Sequence, residues 1–157
     1  MPRSVGLMAA LVMFAACGGS ASTSGAASPS PSPSATGSKV AVATNAKLGQ
    51  ILVDEKGLTL YLFVADTGTA STCYTSCANI WPPLLTDGAP QAGTGVDASK
   101  LGTTNRTDGK VEVTYAGHPL YYFVKDKVPG DTTGQGINGF GGLWWVVSPS
   151  GTAITTK

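Results

Sequence analysis

One ten-residue pattern occurs twice in this chain, about 60 positions apart. The segment GLTLYLFVAD at 57–66 aligns without gaps with GHPLYYFVKD at 117–126, and the two share Gly, Leu, Tyr, Phe, Val and Asp. Further along, IWPPLLTDG at 80–88 lies opposite LWWVVSPSG at 143–151, with a Trp and the closing Gly in common. Because self-similarity at a fixed spacing marks folds built from repeated units, we predict a duplicated domain.

The apolar runs of residues 39–157 are short and bounded by Gly, Pro, Asn and Asp, and helical periodicity is nearly absent. This pattern is typical of β structure with frequent turns. The predicted fold is mainly β, a small antiparallel domain of two pseudo-repeats with a short helix or loop insert around Cys73 and Cys77. The predicted repeats cover about 47–90 and 107–151. The predicted strands are 40–44, 50–54, 58–64, 110–115, 118–124, 143–148 and 152–156.

The N-terminus has the pattern of an export signal. Arg3 precedes an apolar run at 5–16, which is too short for a membrane-spanning helix of about 20 residues. The segment FAAC ending at Cys17 resembles the bacterial lipobox, which implies that 1–16 are removed and that Cys17 is acylated. An ordinary secretory signal, with Cys17 incidental, is the alternative.

Residues 17–38 are predicted to form a disordered linker that begins with the lipid-bearing cysteine. After Cys17 this segment has no charged, aromatic or large aliphatic side chain, so it cannot bury enough apolar surface to offset its ordering entropy. Removing Arg3 with the signal leaves nine Lys and Arg against nine Asp and Glu. Nucleic-acid binding, which needs a basic face, is therefore not expected.

Two copies of the motif Tyr-x-Phe-x-x-Asp flank the segment Cys-x3-Cys-Ala-x-x-Trp-Pro-Pro-Leu. Together these motifs resemble the bacterial envelope lipoproteins called secreted repeats of unknown function. The resemblance implies an exported, usually lipidated repeat protein and implies no reaction. The motif residues are Tyr61, Phe63, Asp66, Trp81, Tyr121, Phe123 and Asp126.

The strand that carries the first motif is apolar on both faces. Alternation places Tyr61 and Phe63 on one face and Leu60, Leu62 and Val64 on the other, so we expect both faces to be buried.

Each motif aspartate follows the end of its strand. There a carboxylate can accept hydrogen bonds from turn amides, and Asp66 and Asp126 are predicted to cap turns. The alternative is that the two aspartates bind a hard cation, with Asp131 assisting.

Cys73 and Cys77 are open to three interpretations. In an exported protein the odd cysteine needs an explanation, and acylation of Cys17 leaves these two free to form a disulfide, which is the predicted state. Alternatively, two thiolates and the imidazole of His118 resemble the ligands of copper-delivery or electron-transfer proteins. A thiol–disulfide catalyst is disfavoured because the spacing differs from the usual redox pair.

Exposed aromatic side chains are the main functional indication in the globular part. Trp144 and Trp145 are adjacent, so one of them should face outward if both lie in a strand. With Phe140 they could contact a protein or cell-wall partner.

The sequence contains no nucleophile elbow, zinc-protease motif or Ser/His/Asp set, so we expect no enzyme and no cofactor. The predicted function is a membrane-tethered extracytoplasmic lipoprotein that acts as a binding or structural module of the cell envelope. The alternative is an envelope copper-binding or electron-transfer protein that uses Cys73, Cys77 and His118.

Overall fold

The computed structural model describes residues 37–156, and this part of the chain is mainly β, as predicted. It contains a single α-helix, at the position where a short helix or a loop was expected. The helix α1 (Ser76–Ile80) lies in the cysteine segment, and a 3₁₀ helix covers Ala98–Lys100. No helix in residues 37–156 has the length and apolar composition of a membrane span. The strands are β1 (Lys39–Asn45), β2 (Gly49–Asp54), β3 (Tyr61–Phe63), β4 (Gln91–Ala92), β5 (Leu101–Asn105), β6 (Val111–Tyr115), β7 (His118–Pro119), β8 (Asn138–Gly139) and β9 (Gly142–Val146).

The strands form three small sheets with the orders β2-β1-β4, β3-β9-β8 and β5-β6-β7. Each repeat opens with an antiparallel hairpin. In the first, β1 and β2 pair from Val40 with Asp54 to Asn45 with Gly49. In the second, β5 and β6 pair with Leu101 opposite Tyr115. Because of these equivalent hairpins, each structural repeat begins before the predicted starts at residues 47 and 107.

Two segments of each repeat pair with the other repeat. We call 60–63 and 120–123 the tyrosine strands, and 81–84 and 144–147 the tryptophan strands, although 120–123 and 81–84 pair only through an isolated bridge between Tyr121 and Pro83. The tyrosine strand of repeat 1 pairs with the tryptophan strand of repeat 2, with Phe63 opposite Trp144. Conversely, the amide of Tyr122 donates to the carbonyl of Pro82 at 2.8 Å. Each repeat thus completes the sheet of the other.

The two tyrosine strands meet on a pseudo-twofold axis. The amide of Tyr61 donates to the carbonyl of Tyr121 at 2.8 Å, and the reverse bond measures 2.9 Å. The hairpin of each repeat also binds the tryptophan strand of the other repeat. The amide of Val113 donates to the carbonyl of Leu84, and the amide of Leu52 donates to the carbonyl of Val147.

The tyrosine strands separate two hydrophobic clusters. Tyr61 and Phe63 belong to one cluster, and Leu60 and Leu62 to the other. The prediction of a strand buried on both faces is therefore confirmed for these four residues. Val64 is 55% exposed, because the strand ends at Phe63.

Several predicted strands are shorter in the structure. The predicted strand at 58–64 reduces to β3, that at 118–124 to β7 plus the bridge at Tyr121, and that at 152–156 to the bridge between Val147 and Ala153. Strands β4, β5 and β8 were not predicted, because their sequences, QA, LGTTN and NG, lack an apolar alternation.

Candidate functional site

The motif tyrosines and aspartates are paired across the pseudo-twofold axis. The Tyr61 hydroxyl donates to Asp126 Oδ2 at 2.5 Å, and the Tyr121 hydroxyl donates to Asp66 Oδ2 at 2.6 Å. Each tyrosine therefore binds the aspartate of the other repeat. The sequence revealed both motifs but not this crossed pairing, since the exchange of strands is a property of the tertiary structure.

The second oxygen of each aspartate caps a turn, as predicted. Asp66 Oδ1 accepts the backbone amide and the hydroxyl of Thr72, both at 2.7 Å. Asp126 Oδ1 accepts the same two groups of Thr133, at 3.0 and 2.5 Å. Both carboxylates are thus committed to internal hydrogen bonds.

Burial keeps the motif phenols protonated. It is the largest cause of the raised pKa of Tyr61 and of Tyr121, and the hydrogen-bonded aspartates raise both pKa values further. Tyr61 Oη also accepts the amide of Gly134 at 3.2 Å. In this protonated form the phenols are suited to joining the two repeats.

Four aromatic rings form a continuous stack across the axis. Trp81 and Trp144, one from each repeat, lie 4.1 Å apart between ring centroids with an angle of 3° between planes. Phe63 stacks on Trp144 at 4.0 Å and Phe123 on Trp81 at 4.3 Å. Tyr61 packs edge-on against Trp81. The motif aromatics therefore build the centre of the core.

Cys73 and Cys77 form the predicted disulfide, with a Cα–Cα distance of 5.2 Å. The structure does not bring His118 into a metal site with them, because no group of three or more His, Cys, Asp or Glu side chains in residues 37–156 could hold a metal ion. His118 lies on β7, half-buried. Reduction of the disulfide would be needed before either sulfur could bind copper.

A buried ion pair anchors the disulfide loop. Arg106 Nη1 donates to Glu112 Oε2 at 2.6 Å, and Arg106 Nη2 donates to the carbonyl of Cys73 at 2.8 Å. The Arg106 guanidinium also lies 4.4 Å from the ring centroid of Tyr74. Sequence reasoning missed this group, although a glutamate between Val111 and Val113 in an apolar strand was an available signal.

Glu112 has an incomplete set of hydrogen bonds. Its Oε1 is buried and has no hydrogen-bond partner among the described residues. Burial raises the pKa of Glu112 to about 7; Arg106 opposes this shift and the charge of Asp66 adds to it. The buried surroundings of Glu112 therefore favour its protonated form more than water does.

The prediction that one of the two adjacent tryptophans faces outward is wrong. Trp144 is 0% exposed and Trp145 is 8% exposed, because hydrophobic clusters cover both faces of β9. Of the predicted aromatic contact residues, only Phe140 remains at the surface, 49% exposed. It lies in the tight turn between β8 and β9 with a φ of 56°, an uncommon conformation for a bulky residue.

A cleft of about 370 Å³ opens beside the tyrosine strand of repeat 2. We call it the Pro82 cleft. It is lined by apolar, phenolic, carboxylate and ammonium groups, among them Asp54, Lys56, Leu58, Pro82, Tyr122 and Lys127.

Comparison with protein families gives one match, made twice along the chain. The model of the family described as "Secreted repeat of unknown function" matches residues 42–85 and 102–148. The chain belongs to this family. Each family match begins in a hairpin and ends in a tryptophan strand or just beyond it, so the family unit corresponds to one structural repeat. No curated protein and no solved structure shows significant similarity to the chain.

Membership in this family agrees with the resemblance of the motifs and favours an extracytoplasmic location. The predicted lipidation site, Cys17, and the predicted linker lie outside the described residues except for 37 and 38.

Proposed function

We propose that this chain is a lipid-tethered binding or structural module of the bacterial cell envelope, anchored through Cys17. One observation carries the proposal: the motif side chains are buried and bonded to one another. Such residues build a rigid scaffold and leave recognition to the less constrained surface, where binding residues of many proteins lie.

The same observation favours a non-catalytic role. The motif carboxylates accept hydrogen bonds from tyrosine and threonine side chains, and the motif phenols are held in the protonated state. A catalytic acid or base must instead be within reach of a substrate.

We further propose that Phe140 contributes to a contact surface for a protein or cell-wall partner. It is 49% exposed, and strained backbone positions that persist often belong to functional sites. A test is photo-crosslinking in intact envelopes, with Phe140→Ser compared against Val128→Ser, which changes a side chain that is also exposed. Loss of a specific adduct only in the Phe140 variant would support this surface, and equal crosslinking in both would contradict it.

Metabolic labelling with a fatty-acid analogue tests the anchor. We expect the exported chain to be labelled and to remain with the membrane, because two or more acyl chains hold a protein durably on a bilayer. The Cys17→Ser variant should be unlabelled and released. Absence of label from the wild-type chain would overturn the tethering proposal.

A further inference from the structure

The two repeats differ at the Pro82 cleft. By strand pairing, Pro82 of the first tryptophan strand is equivalent to Trp145 of the second, and Tyr122 is equivalent to Leu62. Trp145 is buried against the same hydrophobic cluster as Leu62. At the equivalent position of repeat 1, the small proline ring borders an open cleft instead. The opening therefore results from a local departure from the pseudo-symmetry.

The cleft offers a hydrogen-bond acceptor and two donors. Asp54 Oδ1 accepts the amides of Lys56 and Leu58, whereas the one donor to Oδ2 within residues 37–156 is the Tyr122 hydroxyl, at 3.1 Å. Since a carboxylate oxygen has two lone pairs, Oδ2 can accept a further donor. Lys56 and Lys127 line the same cleft, and neither forms an ion pair among the described residues.

The charges of the cleft are balanced. Lys56 and Lys127 are matched by the buried Asp54 and Asp126, so the cleft carries no net formal charge that would select an anion or a cation. Leu58 and Pro82 add apolar surface beside the Tyr122 ring. The matching ligand is neutral, rich in hydroxyl groups and apolar on one face.

We propose that the Pro82 cleft binds a neutral saccharide, such as a short segment of an envelope glycan. Sugar hydroxyls can donate to Asp54 Oδ2 and accept from the two ammonium groups, while the C–H face of a sugar ring packs on Tyr122 and Pro82. The volume, about 370 Å³, is within the usual range of small-ligand clefts, roughly 300–1,000 Å³. The inference rests on the proposed binding role and adds the ligand class.

Isothermal titration calorimetry of the exported full chain tests this proposal. The probes are two neutral oligosaccharides, chitotetraose and maltotetraose, and one anionic peptide, tetraglutamate. We expect at least one of the neutral saccharides to bind and tetraglutamate not to bind. The proposal would be overturned if neither saccharide bound at millimolar concentration, or if tetraglutamate bound more tightly than the saccharides.

Two variants locate the binding. Pro82→Trp, which introduces the residue found at the equivalent position of repeat 2, should fill the cleft and weaken binding by about tenfold or more, equivalent to about 1.4 kcal/mol. Val124→Ser should also weaken it, because Val124 lines the cleft. Val64→Ser, which changes the equivalent valine of repeat 1, is the matched control and should leave binding unchanged.

Unchanged binding by a folded Pro82→Trp chain would place the saccharide elsewhere and contradict the proposal. If Pro82→Trp does not fold, the affinities of Val124→Ser and Val64→Ser for the saccharide are compared instead. Equal affinities of these two variants would contradict binding in the Pro82 cleft. Failure of the lipid anchor is measured separately, because binding in solution does not depend on acylation of Cys17.

Discussion

The hydrogen bonds between tyrosine and aspartate join the two repeats through buried side chains. Tyr61→Phe and Asp126→Asn should each lower the free energy of unfolding by about 1.5–3 kcal/mol, the usual contribution of a hydrogen bond to a charged group. Because phenylalanine lacks the donor and asparagine lacks the charged acceptor of the same contact, the double variant should lose less than the sum, with a coupling of about 1 kcal/mol. Urea unfolding of the four chains measures this.

Tyr74→Phe is the matched control for the loss of a phenol. In the part of the chain that the structure describes, its hydroxyl has one hydrogen bond, accepted from the exposed amide of Thr107 at 3.2 Å, so the expected loss is smaller. Strict additivity of Tyr61→Phe and Asp126→Asn would show that the crossed bond does not stabilise the fold.

Glu112 should make stability depend on pH. Its pKa in the folded chain is raised to about 7 by burial, whereas in the unfolded chain it returns to the ordinary value of about 4.3. The folded state then binds more protons between these pH values, so this group lowers the free energy of unfolding as pH rises from about 4.3 to about 7. Urea titrations across this range measure the slope.

Glu112→Gln should remove this contribution, because glutamine does not titrate. Glu55→Gln, at an exposed glutamate, should leave the slope unchanged. An identical pH profile for wild type and Glu112→Gln would show that the buried carboxyl does not titrate in this range.

The loop of repeat 2 approaches the aromatic stack so closely that it requires glycine. A Cβ atom on Gly134 would lie 2.7 Å from the Trp81 ring, and the Gly134 amide donates to Tyr61. Gly134→Ala should therefore destabilise the protein by about 1–3 kcal/mol, the usual cost of overpacking. Thermal unfolding followed by circular dichroism measures the change.

Gly139→Ala is the matched control, because the nearest atom to an added Cβ would be at 3.9 Å. The thermal unfolding midpoint of the Gly139→Ala variant should stay close to that of the wild type. Equal effects at both glycines would mean that close packing on Trp81 is not the cause.

The exchange of strands makes the two repeats interdependent. Each tryptophan strand pairs with the tyrosine strand of the other repeat, so a single repeat lacks part of its sheet and half of the aromatic stack. We predict that fragments 37–97 and 98–157 are each unfolded and that they assemble when mixed. The cut falls at the exposed 3₁₀ helix.

Near-ultraviolet circular dichroism of the tryptophans measures this assembly. The mixture should recover the signal of the intact chain, whereas each fragment alone should lack it. A folded single fragment would contradict the interdependence of the repeats.

Much of this protein could be predicted from residue order. The duplication, the β class, a short helix or loop insert at the cysteines and the disulfide of Cys73 with Cys77 were all predicted. They depend on local features: repeated motifs, turn residues, alternation along a strand and the spacing of two cysteines. The same local reasoning correctly placed Asp66 and Asp126 as turn caps.

The tertiary structure alone decided which repeat each strand completes. The pairing of Tyr61 with Asp126, the burial of Trp145 and the ion pair of Arg106 with Glu112 all depend on contacts between distant segments. Alternation along a strand specifies two faces but does not show whether a second layer covers both. Similarly, a repeated motif identifies two equivalent units, but only their packing shows that they exchange strands.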